Sequence, residues 1–181
     1  KPSIGINGMQ QNNKNRGAEQ LIPDYQMNDA GVYTFLQKEW KKSSISGGIR
    51  YDLRKMDVKD LLDGTGIKGI AFKRNFGNFS ASIGSTIGAG KNINIKLNLA
   101  RAYRAPSIPE LASNGSHEGT SRYEYGDKNL KSETSMQADA GIEFSNEHFS
   151  LNLAAYYNHF SNFIFYRKLL GVNGADSLVD V

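Results

Sequence analysis

Four stretches of this chain alternate apolar and polar residues for longer than most soluble strands last. In NINIKLNLAR, Ile93, Ile95, Leu97 and Leu99 fall on one parity, opposed by Asn94, Lys96, Asn98 and Ala100. SSISGGIRYDL places Ile45, Gly47, Ile49, Tyr51 and Leu53 opposite Ser44, Ser46, Gly48, Arg50 and Asp52. TSMQADAGIEFS and FSLNLAAYYNHF repeat the pattern, with Met136 to Phe144 and Phe149 to Tyr157 as the apolar series. A period of two belongs to strands with one greasy and one polar face. Weaker members cover residues 2–12, 30–41 and 76–88, which makes seven strands.

The connections alternate as well. Lys41–Ser43, Gly88–Asn92 and Ser145–His148 read as short turns, whereas residues 13–29, 55–75 and 105–132 are long polar segments, and a fourth long segment starts near Arg167. Several structureless loops of that size are rare in a compact soluble domain. Short turns at one end and long loops at the other are the habit of outer-membrane barrels. Strands of roughly 10–13 residues also suit a tilted membrane crossing, which needs about 9–11.

Alternation by itself fits a soluble sandwich equally well, because there the apolar faces of two sheets meet. Two features favour a barrel. The polar faces carry Arg50, Asp52, Lys96, Asp139 and Glu143 at mid-strand among small Gly and Ser residues, as suits a crowded polar interior. Tyr51, Tyr103, Tyr157, Phe160, Phe163, Phe165 and Tyr166 gather near the long-loop ends, where a membrane interface favours aromatic rings. The expected fold is therefore all-β: an antiparallel up-and-down transmembrane β-barrel, present as an incomplete arc of about seven strands with short periplasmic turns and long extracellular loops. An open sheet edge is not tolerated in lipid, so residues 1–181 are expected to be one partial barrel domain of a larger protein.

Composition excludes some classes. The chain has 181 residues and no Cys, so it has no disulfide framework and no thiolate chemistry. The net charge is +4, with basic and acidic residues interleaved, and no basic run exceeds Lys41-Lys42, so nucleic acid is not an expected partner. No apolar run is long enough for a membrane helix or a signal-peptide core. GSTIGAGKN mimics a phosphate loop, but Ser85 stands where the first glycine is required and Asn92 where Ser or Thr is required. No nucleophile–base pair stands out, so the protein is not expected to be an enzyme, and no cofactor is implied.

The long connection from Arg101 carries the most specific pattern. Arg101, Tyr103, Arg104, Ala105, Pro106, Glu110 and Leu111 are followed by Tyr123, Glu124, Gly126, Asn129, Leu130, Lys131 and Glu133, and then by the tyrosine-rich AAYYNHFSNFIFYR. This order resembles the barrel domain of the TonB-dependent outer-membrane receptors. The resemblance implies a bacterial outer-membrane receptor that binds a scarce nutrient (iron-siderophore, haem, or a metal ion such as zinc) and imports it with energy relayed by TonB. It also implies a plug domain and a TonB-contacting segment, neither of which is visible in this chain. A passive porin-like barrel and a soluble sandwich module or adhesin are the competing readings.

Within that segment, Pro106 and Pro109 end strand pairing because proline lacks a ladder donor. Arg104 and Glu110 flank the resulting turn and are placed to pair, with Glu133 as a further partner; these residues are expected to brace the barrel rim. NGSHEGTSRYEYG supplies donors, acceptors and aromatic faces at a loop tip, so His117, Glu118, Arg122, Tyr123 and Glu124 are the candidate ligand contacts. Metal binding at His117 needs three or four ligands, for which Glu118, Glu124, Asp57, Asp60 and Asp63 are the available carboxylates. A single histidine is ordinarily a plain loop residue. His148 and His159 are read as structural.

Overall fold

A computed structural model describes the chain except for residues 17–19, 65, 118–121, 169–175 and 181, and leaves aside the side chains of residues 63, 117, 122 and 176–180. The elements in chain order are β1 Pro2–Asn13, β2 Tyr25–Trp40, β3 Ser43–Val58, β4 Leu61–Asp63, β5 Gly66–Gly69, β6 Phe72–Gly88, β7 Ile93–Arg104, α1 Ile108–Ala112, β8 Asn114–His117, β9 Arg122–Tyr125, β10 Glu133–Ser145, β11 Ser150–Ser161, β12 Ile164–Lys168 and β13 Asp176–Asp180. Seven of these form one sheet in the order β1-β2-β3-β6-β7-β10-β11, and every neighbouring pair is antiparallel. That is the expected up-and-down meander. Its short turns are tight: Gly90 has φ +91°, a left-handed conformation open mainly to glycine.

Register fixes which residues share a face. On one face a row runs Leu36, Gly47, Ile83, Leu99, Ala138, Tyr157, and the next runs Thr34, Ile49, Ala81, Arg101, Met136, His159. Among the described residues no second sheet covers this face: Ile49 is 62% exposed, Leu97 48%, Leu151 49% and Leu153 59%. In a double-layered sandwich these side chains would be buried. The opposite face holds the ion-pair ladder. Arg50 Nε donates to Asp52 Oδ2 at 2.7 Å and its Nη2 donates to Asn7 Oδ1 at 2.6 Å. Arg54 grips Asp29 with two bonds of 2.8 and 2.6 Å, and Lys96 Nζ lies 2.5 Å from Glu143. Asp139 accepts from Asn98 and Gln137.

Three strands run further than their alternation suggests. β2 starts at Tyr25 instead of near residue 30, β3 continues to Val58, and β6 begins at Phe72 instead of near residue 76. The cause is an inversion of polarity. Up to the row Ala30–Leu53–Gly77 the outer face is apolar or small, but the next rows outward, Gln10–Asn28–Lys55–Asn75 and Gln26–Asp57–Lys73, are polar. On the inner face the same levels carry Met27, Met56, Val58 and Phe76, all buried. Alternation persists with its sense reversed, and a search for apolar-out, polar-in strands stops at the reversal.

The inner residues beyond the reversal are covered by the long connections. Met27, Met56, Val58 and Phe76 pack with Ala105, Ile108, Leu111, Leu130 and Ile164, flanked by Tyr25, Phe72, Tyr103 and Ala112. The connections therefore fold inward over one mouth of the sheet, around a small core of their own. β4 and β5 form a hairpin, and β12-β13-β9-β8 forms a second small sheet at this end. Tyr103, expected on the interfacial girdle, instead packs against this inner core. β6 and β7 pair only from Ala81↔Arg101 to Gly88↔Asn94, which leaves the outer part of β6 facing the 105–132 connection.

Strand ends are staggered. β1, β2, β3 and β6 all reach the row containing Val58, whereas β7 and β10 stop at the row of Arg104↔Glu133. A sheet that closes into a barrel with tilted strands shows such stagger.

Candidate functional site

The loop-bearing mouth is built on Arg104, the last residue of β7. Its Nη1 donates to both carboxylate oxygens of Glu110 at 2.8 Å, and its Nη2 donates to Glu133 Oε2 at 3.1 Å. The spacing-based expectation for these three residues is thus met in the geometry. The sequence reading took Pro106–Pro109 for a turn, and it is a turn of helix. Ser107 is its N-cap, accepting from the Glu110 amide at 3.4 Å, while Glu110 Oε2 accepts from the Ser107 amide at 2.7 Å. This reciprocal box satisfies two helix-end donors, and the proline is tolerated because the first-turn amides have no helical partner. Burial pushes the Glu110 carboxyl upward, and the bonds from Arg104 and Ser107 more than offset it, leaving the carboxyl below its ordinary value.

Glu133 also accepts from the Ile164 amide at 3.1 Å. One guanidinium therefore ties together the ends of β7 and β10, the helix α1, and the start of β12. Ala105 and Pro106 are buried beside it, and Leu111 and Leu130 are almost wholly enclosed.

Gly126 belongs to this signature for a steric reason. A Cβ there would lie 2.5 Å from the Ala112 nitrogen and 2.7 Å from the Leu111 carbonyl carbon. The close approach lets the Gly126 amide donate to Ser113 O at 2.7 Å and the Asp127 amide to Glu110 O at 2.9 Å. Asn129 closes the segment with its amide on Asp127 Oδ1 at 2.8 Å. Arg74, which the sequence reading did not single out, donates to the carbonyls of Lys128 and Leu130 and lies over the Phe76 ring at 4.8 Å. Its only sequence signal was a charge on the inward parity of β6.

Of the candidate ligand contacts, His117 lies on β8, and Arg122, Tyr123 and Glu124 lie on β9. His117 pairs with Arg122 in its register, both side chains being outside the description, and Glu118 lies outside the described residues. Tyr123 donates its hydroxyl to Asn114 Oδ1 at 2.8 Å, and its ring stands 4.8 Å from that of Tyr125. Glu124 faces Tyr166, whose phenol is pushed above its ordinary value by burial and by that carboxylate. Tyr123 and Tyr125 thus form an aromatic pair on one face of β9, and Glu124 on its other face lies beside Tyr166.

Among the described residues no three His, Asp or Glu side chains cluster as a metal site. Asp57 is engaged by Lys59 and Lys73 at 2.8 and 2.9 Å, and those cations hold its carboxyl below the ordinary value. Asp60 accepts from the Ala71 amide at 2.6 Å, and the side chain of Asp63 is outside the description.

An antiparallel meander with an apolar exterior, a charge-paired interior and folded loops across one mouth is a segment of a transmembrane β-barrel whose entrance is covered. The chain belongs to the TonB dependent receptor-like, beta-barrel family, whose model matches residues 4–177. Among solved structures it superposes on a double mutant of the Serratia marcescens hemophore receptor HasR in complex with its hemophore HasA and heme, with a TM-score of 0.80 at 16% identity over 99% of this chain and 34% of that one. The copper transporter OprC matches with a TM-score of 0.73 at 17% identity over 87% of this chain and 25% of that one. The FrpB iron transporter from Neisseria meningitidis matches with a TM-score of 0.67 at 14% identity over 99% and 28%. This chain spans about a third or less of the length of these receptors.

Proposed function

We propose that this chain forms part of the wall and covered mouth of a bacterial outer-membrane receptor that binds a scarce nutrient outside the cell and imports it with TonB-relayed energy. The observation that carries the reading is the inward-folded mouth. A passive porin keeps a water-filled lumen, whereas here the outer end of the inner wall is apolar and is covered by α1, Leu111 and Leu130. Membership of the receptor family supports the same conclusion. The β8–β9 hairpin, with His117, Glu118, Arg122, Tyr123 and Glu124, is the proposed ligand-contacting surface, on rim elements held by Arg104.

The nutrient belongs to the haem, ferric-siderophore or metal-ion group, the classes named for the structural neighbours. His117 is the proposed metal or haem contact within that hairpin. TonB is the proposed partner on the periplasmic side, outer-membrane lipid surrounds the strands, and no enzymatic step is proposed.

Titration of the full-length receptor with haem, a ferric siderophore and Zn²⁺ tests this. One class is expected to bind, and the double variant His117→Ala, Tyr123→Ala is expected to weaken it about tenfold with the barrel still resistant to detergent unfolding. Uptake that persists without TonB, or binding indifferent to both substitutions, overturns the reading.

A further inference from the structure

The outer face carries a charge that the receptor function does not use. Arg101 lies on the same parity of β7 as Ile93, Ile95, Leu97 and Leu99, the lipid-facing side, three residues before the strand ends. Its guanidinium lies 4.1 Å from the centroid of the Phe79 ring and donates to the Phe79 carbonyl and, at 3.0 Å, to Asn78 Oδ1. These partners are neutral. Among the described residues no carboxylate pairs with Arg101, while the inward-facing Arg50, Arg54 and Arg104 all have one. A full positive charge held at a lipid face without a counter-ion is costly unless something from the bilayer supplies the opposite charge.

The surroundings indicate what supplies it. Arg101 borders an open hollow of about 1070 Å³ on the same face, walled by Leu36, Ile45, Ile49, Ile83, Leu99 and Met136. Its floor is open because Gly47 and Ala81 stand in rows where their neighbours carry larger side chains. The hollow runs from Arg101 on β7 across β6 and β3 to Leu36 on β2 and Pro2 on β1. Its apolar lining suits an acyl chain; Lys1 and Lys38 also border it on the β1–β2 side, and Arg101 lies in the row of His159, next to that of Ser161, where the outer face of β11 turns polar. At that level lipid headgroups lie.

We propose that Arg101 and the hollow beneath it form a binding site for one phosphorylated, acyl-chain lipid of the leaflet on the long-loop side. The phosphate sits on the outward edge of the Arg101 guanidinium, and an acyl chain lies in the hollow over Gly47 and Ala81. Phe79 and Asn78 hold the guanidinium flat against the wall, so that its remaining donors face the headgroup. The site rests on the membrane-spanning reading of the sheet and adds a specific lipid to it.

The test is native mass spectrometry of the full-length receptor in detergent, with added phosphatidate, with diacylglycerol as the phosphate-free control, and with excess inorganic phosphate as competitor. The wild-type receptor is expected to retain one phosphatidate, to retain no diacylglycerol, and to keep its lipid against inorganic phosphate. Arg101→Gln is expected to lower occupancy about fivefold, as one basic group at an anionic surface implies, and Arg101→Lys to keep most of it. Ala81→Trp, which fills the hollow and leaves the charge in place, is expected to abolish retention. Equal retention by wild type, Arg101→Gln and Ala81→Trp overturns the site, as does diacylglycerol binding as well as phosphatidate or displacement by inorganic phosphate. Detergent-resistant mobility on gels checks that each variant is folded. A bilayer-confined label on Leu97 separates the two readings: labelling with no lipid selectivity sinks the lipid site alone, and no labelling sinks both.

Discussion

Glu110 serves two structures with one carboxylate, capping α1 through Ser107 and gripping Arg104. Because Arg104 is 44% exposed, screening limits the pair, and Glu110→Gln is expected to cost about 1 kcal/mol. Hydrogen exchange in α1 should read this as about fivefold faster opening. The folded carboxyl sits below its ordinary value of 4.5, so the clasp's contribution is complete above that pH and is lost as pH falls through the depressed value. Exchange protection of Leu111 measured downward from pH 7 should therefore hold to about that point and then fall, and an earlier loss would contradict the pairing. Gly126→Ala should push β9 off α1 and weaken ligand binding, with detergent-resistant mobility unchanged, since its Cβ would meet backbone that has nowhere to move. At this scale the three charged residues were legible from their spacing. The helix was not, because five residues make too short a pattern and two prolines argued for a turn. Gly126 stood in the motif without a reason until its neighbour across the loop was visible.

Between Ile45 and Leu53, β3 rises roughly 26 Å at about 3.3 Å per residue. At a tilt of about 40° that projects to roughly 20 Å, near the ~25 Å band such barrels expose. Position within this band sets the penalty for a charge. Leu97→Arg, in mid-band, is expected to cost about 2–4 kcal/mol, and Leu53→Arg, one row from Lys55, about 0–1 kcal/mol. Folding into lipid vesicles under urea titration measures both, and equal costs would contradict the placement of the band. The seven strands were readable because hydrocarbon outside and a polar lumen inside impose period two with one sense. The outer ends of β2, β3 and β6 were not, because Met27, Met56, Val58 and Phe76 meet folded loop where the lumen pattern calls for polar groups. The aromatic girdle was read only in part: Tyr51 and Tyr157 lie on the outer face with Trp40, Phe144 and Phe149 at the short-turn end. Phe160 falls on the inner parity opposite Ser135, Tyr103 packs within the covered mouth, and Tyr166 lies beside Glu124 there.

The sheet has two free edges, β1 and β11, and neither has a partner strand among the described residues. Expressed alone, the 181-residue chain is expected to give mixed oligomers through those edges instead of a monomer, which light scattering of refolded material would show. The full receptor should be monodisperse under the same conditions. Seven strands and a family resemblance define the wall, but the number needed to close it is a property of strands outside this segment.

The reversal at Asn28, Lys55 and Asn75 works as a waterline. Sliding the wall outward by one row would lift Leu53 into water, and sliding it inward would drown the lysines and Asp57 in hydrocarbon. The hull therefore floats at one fixed draught. If the proposed uptake holds, whatever travels has to travel inside a sleeve that neither rises nor sinks.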